Sequence, residues 1–375
     1  MDPVTIVTGL VVSAAVSAAS YEIGRLLAPK TPSPPIQPVR IPTGPSPLND
    51  ANTLGGPLPG LLGARRVSGK SLVQVQVGNA TYAVYVIAGA PVTGIDAVYI
   101  NNNIVSIDGS NNVTSSPWAN SGSYSMQIYL HDGTQTVVDA ALHAALPNWT
   151  TQFVGKQIAY AIIKIDPSVS ATKFASTYSG MPDFTFAVRG FKCYDPRDGG
   201  CVLGDTSTYI FSVNPSVIEA NYLIHPLGAN FPTSLVDWAS VTTCANVDDQ
   251  SVTLASGGVE NRYTSTLHWT TSETHESVLG RAGAAHAGGV RPIGSKFVMT
   301  TGYLSSAAYT ITPDDYAGDG LTVNEHIPIA NRANGVRGQF TSLGDNDEMR
   351  DFPSYQEAAA LTQDNGRAVG AHRLS

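Results

Sequence analysis

The stretch Ala187-Val-Arg-Gly-Phe-Lys-Cys-Tyr-Asp-Pro-Arg-Asp-Gly-Gly200 decides how the middle of this chain is interpreted. Val188, Phe191 and Tyr194 have side chains that favour a strand, whereas Asp195-Pro196 and Gly199-Gly200 are residues that end a strand and reverse the chain. The stretch therefore predicts a strand that runs into a tight turn. Its residue chemistry alone predicts no more than a hairpin.

Four other segments extend this pattern in a fixed order along roughly residues 56–365. They are Gly56-Pro-Leu-Pro59 with Gly63-Ala-Arg-Arg-Val-Ser-Gly69; Val84-Tyr85 with Gly94-Ile-Asp-Ala-Val-Tyr-Ile-Asn-Asn102; Leu146-Pro-Asn-Trp149 through Gly155 to Ile158-Ala-Tyr160; and Asn331-Arg-Ala-Asn-Gly-Val-Arg-Gly338 leading to Asp351-Phe-Pro353. Together the five segments resemble the central tail hub, or host-specificity (tail tip attachment), family of long-tailed bacteriophages, in a short version. Leu61-Leu62 stand where that family usually has an aromatic residue.

The resemblance implies a structural virion protein at the tail tip, assembled in the host cytoplasm. Such a hub is a homotrimer of small barrel-like domains that closes the tail tube and opens on infection, with DNA only passing through its channel. The implied partners are the distal tail protein, the tape measure protein, and tail fibres or receptor-binding proteins. No catalytic, cofactor-binding or metal-binding residue is predicted. Because the chain stops at Ser375, where long family members continue, we expect receptor binding to reside in separate chains.

Composition predicts a mainly β (α+β) protein with added helices. The chain has 375 residues, more than one hydrophobic core usually serves, so two or three domains are expected. Charged residues make up only 13% and there are 36 glycines, which suits strands and turns. The net charge of −8 argues against general nucleic-acid binding, because phosphate neutralisation needs a clustered basic surface.

The chain divides into five predicted parts. These are an apolar amino-terminal helix (1–28), a proline-rich extended linker (29–59), a β-rich hub domain (60–205), a helix-bearing segment (206–290) and a return β segment with a carboxyl-terminal helix (291–375). Alternating or apolar runs predict strands within 71–87, 95–107, 124–130, 156–165, 184–188, 296–300, 308–311 and 336–340. Helices are predicted at 137–145, from an Asn214-Pro215 cap, at 234–245, at 273–287 and at 355–368.

The amino-terminal helix is open to three interpretations. No charged residue lies between Asp2 and Glu22, as in a signal peptide or a membrane span over residues 4–21. Asp2 disfavours a signal peptide, and several Ser and Thr residues dilute a span. Gly9, Ser13 and Ser17 recur every four positions, which favours close helix packing. Self-association, or contact with the tape measure protein, is therefore preferred.

Several short motifs approach a known chemistry without completing it. Ser68-Gly-Lys-Ser71 lacks the first glycine of a phosphate-binding loop, since position 64 is Ala, and predicts a turn. His275-Glu276 lacks the second histidine of a zinc protease, so His275 is predicted on a helix surface. Asp315, Asp319 and Gly320 fit part of a calcium loop, but Ala317 and His326 break it, and a polar turn is preferred.

Other side chains are assigned structural roles. Asp195 and Asp198 resemble a glycosidase pair only by proximity, and capping of the turn is preferred for Asp195. Cys193, Cys201 and Cys244 are predicted as free, mostly buried thiols, although a disulfide from Cys193 to Cys201 is conceivable. Arg332 and Arg337 would contact another subunit or a carboxylate of the same chain.

A rival hypothesis is an exported β-rich protein that binds or cleaves a cell-wall glycan. It would require a pocket with convergent carboxylates and exposed aromatic side chains. The absence of a complete catalytic motif in the sequence counts against it.

Overall fold

The computed structural model describes residues 56–120, 123–166, 181–254, 257–303, 309, 310, 312, 315, 334–342, 348–351, 354–366 and 371–374. The predicted amino-terminal helix, nearly all of the proline-rich linker, and the positions of Asp319, Gly320 and Arg332 lie outside the described residues.

Strands dominate the described chain, which confirms the predicted mainly β class with added helices. The strands are β1 (Pro59–Leu62), β2 (Ala64–Ser68), β3 (Lys70–Val77), β4 (Ala80–Ala88), β5 (Gly94–Ile100), β6 (Asn103–Val105), β7 (Ala119–Asn120), β8 (Ser123–Tyr124), β9 (Met126–His131), β10 (Ala159–Ile165), β11 (Phe184–Arg189), β12 (Ser251–Thr253), β13 (Val259–Asn261), β14 (Leu267–Thr270), β15 (Gly289–Ile293), β16 (Lys296–Thr300), β17 (Gly335–Ser342), β18 (Glu348–Asp351), β19 (Tyr355–Gln356) and β20 (Ala371–Leu374). The helices are α1 (Ala140–Ala145), α2 (Pro215–Ile224), α3 (Trp238–Asp248), α4 (His275–Ala284) and α5 (Ala358–Gln363).

Two antiparallel four-stranded sheets share one hydrophobic core. Their strand orders are β3-β4-β10-β9 and β2-β11-β5-β6. Ile128 and Ile163 of the first sheet and Val98 and Phe186 of the second belong to the same buried cluster. The predicted hairpin at 71–87 is confirmed as β3 and β4, joined by the Gly78-Asn79 turn.

The first sheet is buried on both faces, which explains the nearly continuous apolar sequences of β4 and β10. Ile163 faces the second sheet, whereas Ile162 packs with Leu142 and Leu146 on the other side. Leu142 belongs to α1, whose first turn is capped by Asp139 through a 2.8 Å bond from the Leu142 amide. The predicted helix at 137–145 is therefore shorter, because the cap fixes its start at Ala140.

The two four-stranded sheets together form a β-sandwich. A helix layer formed by α2, α3 and α4 packs against this sandwich and shares its hydrophobic core. β1 pairs antiparallel with β14, and the amide of Phe191 donates to the carbonyl of Leu61 at 2.8 Å. Leu61 and Leu62 are fully buried, so the two leucines serve as core residues. This core runs from Leu61 to Ala282, across the predicted boundary at 205. The division into domains stays a prediction.

Three predicted helices have different bounds in the structure. The helix predicted at 234–245 begins only at Trp238, after a short 3-10 turn at Thr233–Leu235, and the one predicted at 273–287 spans α4. The helix predicted at 355–368 is mostly wrong. Tyr355–Gln356 pair with β17, which leaves α5 as a short helix.

The carboxyl-terminal strands form a sheet of their own. β17 pairs antiparallel with β18 and β19 and parallel with β20. This sheet contains the strand predicted at 336–340, whereas Tyr309 and Thr310, within the strand predicted at 308–311, are not in a strand. None of the helices in the described residues is both long and apolar enough to cross a membrane.

Candidate functional site: a charged cluster around a buried helix

Helix α2 is enclosed on every side. The predicted cap is confirmed, since the Asn214 side chain accepts from the Val217 amide at 3.2 Å and Pro215 occupies the first turn. Every residue from Pro215 to Leu223 is buried, including the polar Ser216, Glu219 and Asn221. Buried polar groups are costly unless they are hydrogen-bonded, so their partners determine how the helix is held.

Asn221 ties α2 to the stretch that precedes the 195–200 turn. Its side-chain oxygen accepts from the Tyr194 amide and its nitrogen donates to the Tyr194 carbonyl, both at 2.8 Å. The predicted tight hairpin is not formed: the strand ends at Arg189, and Cys193 exchanges backbone hydrogen bonds with Ile210 across a longer loop.

Arg197 locks the same turn onto the end of α3. Its guanidinium makes two hydrogen bonds to Asp195, at 2.9 and 2.8 Å, and also donates to Asp249 at 2.7 Å and to the Ala245 carbonyl at 2.9 Å. Asp195 caps the turn as predicted, by accepting from the Arg197 amide at 3.0 Å. Burial opposes ionisation of Asp195, but its bonds with Arg197 outweigh that effect and lower its pKa.

His286 lies between two carboxylates from different helices. Its Nε2 is 3.1 Å from Oε2 of Glu219 on α2, and its Nδ1 is 3.6 Å from Oδ2 of Asp248 on α3. Asp248 also accepts from Oγ of Ser216 at 2.5 Å and from Oγ1 of Thr301 at 2.8 Å. The side chains of His286, Glu219 and Asp248 are all completely buried. We call Ser216, Glu219, Asp248, His286 and Thr301 the buried charge cluster.

The cluster favours a protonated histidine. Burial alone would lower the pKa of His286, but hydrogen bonds to Asp248 and Glu219 and their charges raise it to about 9. For Asp248, the bonds from His286, Ser216 and Thr301 outweigh burial and lower its pKa.

Glu219 is the member of the buried charge cluster whose hydrogen-bonding capacity is least satisfied. Burial raises its pKa, and the hydrogen bond with His286 only partly offsets this. The nearby Val290 backbone also favours the ionised form, yet no hydrogen-bond partner for Oε1 is found in the structure as described. Asp248 is therefore ionised more readily than Glu219.

A serine, a histidine and two acids invite comparison with a nucleophilic triad, but the geometry differs. In a triad the serine hydroxyl donates to a neutral imidazole that faces substrate. Here the Ser216 hydroxyl donates to Asp248, so its oxygen can only accept from Nδ1 of His286, 3.4 Å away. Both ring nitrogens also lie near carboxylates, at 3.1 and 3.6 Å. Such a ring has no lone pair to accept a proton, and Ser216 is fully buried. The arrangement can hold α2, α3 and the segment after α4 together.

A second histidine, the half-buried His225, behaves in the opposite way. It follows α2 and stacks on Phe191, with ring centroids 4.7 Å apart. Its Nδ1 accepts from the Leu227 amide at 3.1 Å, which requires a lone pair on that nitrogen. Burial lowers the pKa of His225 to about 4.

The short sequence motifs are structural. Ser68 ends β2 and Lys70 begins β3, so this segment forms strands and not a phosphate loop. His275 is exposed at the start of α4, as predicted, and contacts the Tyr222 hydroxyl at 2.9 Å. Asp315 accepts from the amide and the hydroxyl of Thr312, as a polar turn does.

The cysteines are free thiols, as predicted. Cys193 and Cys244 are buried and Cys201 is partly buried. In the part of the chain that the structure describes, no group of three or more His, Cys, Asp or Glu side chains is placed to hold a metal ion. An open depression of about 320 Å³ is lined by Gly94, Ile95, Leu130, His131, Asp132, Thr134 and Gln135.

Sequence reasoning missed the buried charge cluster. Its members are 32, 67 and 70 positions apart, and each pair is joined only by the packing of three helices. One signal was present in the sequence: Ser216 and Glu219 interrupt a helix whose neighbours Val217, Ile218, Tyr222 and Leu223 are apolar. A polar residue in such a helix indicates a buried partner elsewhere.

The sequence matches no family model and no curated protein. The fold is similar to that of a chain in a solved structure described as the virion of a native gene transfer agent particle. The TM-score is 0.51 at 12% sequence identity, and the alignment covers 97% of this chain and 80% of that chain. At this identity the likeness is one of fold, and membership of the tail hub family stays a prediction.

Proposed function

We propose that this chain is a structural component of a virion, and that within it the chain forms the central hub at the distal end of a phage tail. The observation that carries the proposal is the fold likeness to a chain of a gene transfer agent virion, which extends over 97% of this chain. The five segments that resemble tail hubs, found in order along the sequence, support the finer assignment.

The bonds within the helix layer support a structural role that requires a fixed shape. Asn221, Arg197 and the buried charge cluster connect α2, α3 and the 195–200 turn through charged and polar bonds. Such bonds require a defined geometry, so they oppose sliding of one element over another. A hub must hold its shape until infection and then rearrange between two states.

Exposed apolar side chains support contacts with other proteins. Val202 is 56% exposed, and Leu203 and Ile210 are exposed beside it in the loop after the 195–200 turn. The bond from the Val202 amide to Thr208 holds this loop in one shape. Apolar surface on an ordered loop is typical of protein interfaces. We assign the partners as two further copies of this chain, the distal tail protein, the tape measure protein, and fibres or receptor-binding proteins.

The proposal includes no catalytic role for this chain. Glu219 and Asp248, the two carboxylates that converge on His286, have no contact with solvent. A glycan-cleaving protein would need such groups at an open surface. Release of soluble fragments from peptidoglycan by the purified chain, lost in a single carboxylate variant, would establish the rival function instead.

Immunogold electron microscopy of the particles tests the location. An epitope tag inserted between Gly109 and Ser110 lies in an exposed turn, where a Cβ atom built on Gly109 would meet no atom within 4 Å. Gold at the tail end distal to the capsid is the expected result. Gold on the capsid, or particles without gold beside a free tagged chain, would contradict the hub.

Light scattering of the full chain tests the oligomer. A mass of three chains is expected, and a single-chain mass at all concentrations contradicts a trimer. Val202→Glu should weaken assembly if the 202–210 loop is an interface, whereas Ile104→Glu provides a matched control, because Ile104 is also exposed and apolar but lies on β6.

A further inference from the structure

One edge of the first sheet is open in the described structure. Strand β3 pairs with β4 on one side, and from Leu72 to Val77 none of the described strands pairs with its other side. We call Leu72–Val77 the β3 edge. About half of the backbone N–H and C=O groups along such an edge point away from the sheet. An edge of this length is a template for another strand.

The β3 edge has a bulge at Leu72 and follows Lys70, but from Val73 to Val77 it lacks the features by which proteins block unwanted pairing. From Ser71 to Val77 the sequence has no charged residue and no proline. Leu72 is 40% exposed, whereas Val73, Val75 and Val77 pack partly against the cluster that contains Leu142. Edges that stay in solvent usually carry lysine or proline. The β3 edge is therefore suited to being covered in the assembled protein.

A segment near the amino terminus has the composition of a strand that could pair with the β3 edge. Residues 4–12, Val-Thr-Ile-Val-Thr-Gly-Leu-Val-Val, include seven β-branched residues and no charge. β-branched residues favour strands, and an uncharged strand leaves no charge unpaired against the edge. This strand replaces the first part of the helix predicted at 1–28, and only the alanine-rich residues that follow remain free to form a helix.

The tether between this segment and the sheet favours a neighbouring copy. The Pro57 carbonyl is 3.5 Å from Nζ of Lys70, so the chain enters beside the start of β3. Residues 30–55 are rich in proline and span about 80 Å if extended as polyproline II. The strand itself is only about 26 Å long. A stiff tether that long disfavours return to the same strand and reaches the corresponding strand of an adjacent copy.

We propose that residues 4–12 of one subunit add as a strand to the β3 edge of the next subunit. The inference rests on the proposed homo-oligomer and deepens it by naming one contact between copies. Backbone hydrogen bonds form the contact, as in other cases of strand addition. Because the two surfaces differ, the contact is heterologous and can repeat around a closed ring.

Disulfide trapping between two differently tagged full-length copies tests the contact. Both carry Cys201→Ser, which leaves only the buried cysteines. One copy also carries Val7→Cys and the other Gln74→Cys, and the two are expressed together. Mild oxidation should yield a covalent pair bearing both tags, at least ten-fold above a control in which Ser110→Cys, in an exposed turn, replaces Gln74→Cys.

Two results would overturn the inference. One is a yield equal to that of the control. The other is a position-74 cysteine that joins position 7 of its own copy, in a chain carrying both substitutions. If either occurs while the mass stays at three chains, only this contact is disproved. A single-chain mass would instead disprove the proposed hub.

Amide hydrogen exchange provides a second readout in the full chain. Ile6→Pro with Thr8→Pro removes two donors from the added strand, so exchange at residues 73–77 should accelerate at least ten-fold. Gln37→Pro with Thr43→Pro is the matched control, because it adds two prolines within the tether. Equal exchange in the two variants would contradict strand addition.

Discussion

The β-sandwich and the helix layer are equally buried but are held together by different chemistry. In the sandwich, β4 and β10 bury almost only apolar side chains, on both faces. In the helix layer, α2 is buried just as completely yet carries Ser216, Glu219 and Asn221. Each of these three side chains is bonded to a different neighbouring element.

The difference shows how two parts of one core can respond differently to change. Apolar packing depends on volume and tolerates substitutions of similar shape. A buried polar network depends on each partner being present, since the removal of one leaves another unsatisfied in a medium of low dielectric. We therefore expect the helix layer to be the more sensitive region, and four measurements can contradict or refine this view.

The largest expected effect is that of His286→Ala. Removal of the cation leaves Glu219 and Asp248 buried without their shared partner. The free energy of unfolding should fall by about 4–5 kcal/mol, as when one member of a buried ion pair is removed. Urea denaturation measures the change. His143→Ala, at an exposed histidine, should cost less than about 1 kcal/mol, and equal losses would contradict a special role for the cluster.

The next effect concerns the sandwich. Phe186 is fully buried between the two sheets, so Phe186→Ala should cost about 3–4 kcal/mol through the cavity that it leaves. Phe186→Leu keeps most of the volume and should cost less than about 1.5 kcal/mol. Thermal unfolding of both variants provides the comparison. A severe loss in Phe186→Leu would mean that the sandwich also depends on strict geometry.

Two isosteric variants refine the view of the cluster itself. Asp248 accepts from Ser216 and Thr301 and lies 3.6 Å from Nδ1 of His286, so Asp248→Asn places an amide donor against donors and should cost about 2–3 kcal/mol. Glu219→Gln should cost only about 1 kcal/mol, because burial already favours the neutral form of Glu219. Denaturant midpoints measure the loss of stability in each variant. A larger loss in Glu219→Gln than in Asp248→Asn would show that Glu219 is the more strongly ionised of the two carboxylates.

The pH dependence of the free energy of unfolding should reflect the titration of both His286 and His225. His286 has a pKa raised from 6.5 to about 9 in the folded state, so its contribution is complete below pH 6.5 and is lost as pH rises through about 9. The loss is on the order of 2 kcal/mol. His225 has a pKa lowered to about 4, so its contribution is complete above pH 6.5 and is lost as pH falls toward 4.

A stability maximum near pH 6.5 follows from these two shifts, measured by unfolding in urea across pH 4–9. In His286→Gln the decline above pH 6.5 should disappear while the decline below it remains. If the alkaline decline persists in that variant, other groups cause it, and the cluster is not protonated as described.

Local patterns predicted much of the secondary structure. The hairpin of β3 and β4 follows from strict alternation about Gly78-Asn79, and the cap of α2 follows from Asn214-Pro215. The strand Lys296–Thr300 was predicted with the bounds it has. These features succeed because neighbouring residues along the chain determine them. The length of α5 was missed, because the pairing of β19 with β17 overrides local helix propensity. The start of α3 was missed because Val236 and Asp237 pair with Phe297 before the helix begins.

By itself, the sequence determined the β-rich class and most strands, because alternation and turn residues act over a few positions. Only the tertiary structure decided that Leu61 and Leu62 join the core through β14, that Cys193 pairs with Ile210, and that Ser216, Glu219, Asp248 and His286 meet. These contacts join residues far apart in sequence. They form only when separate elements pack together, and the need to satisfy buried charges then selects one arrangement of the helices.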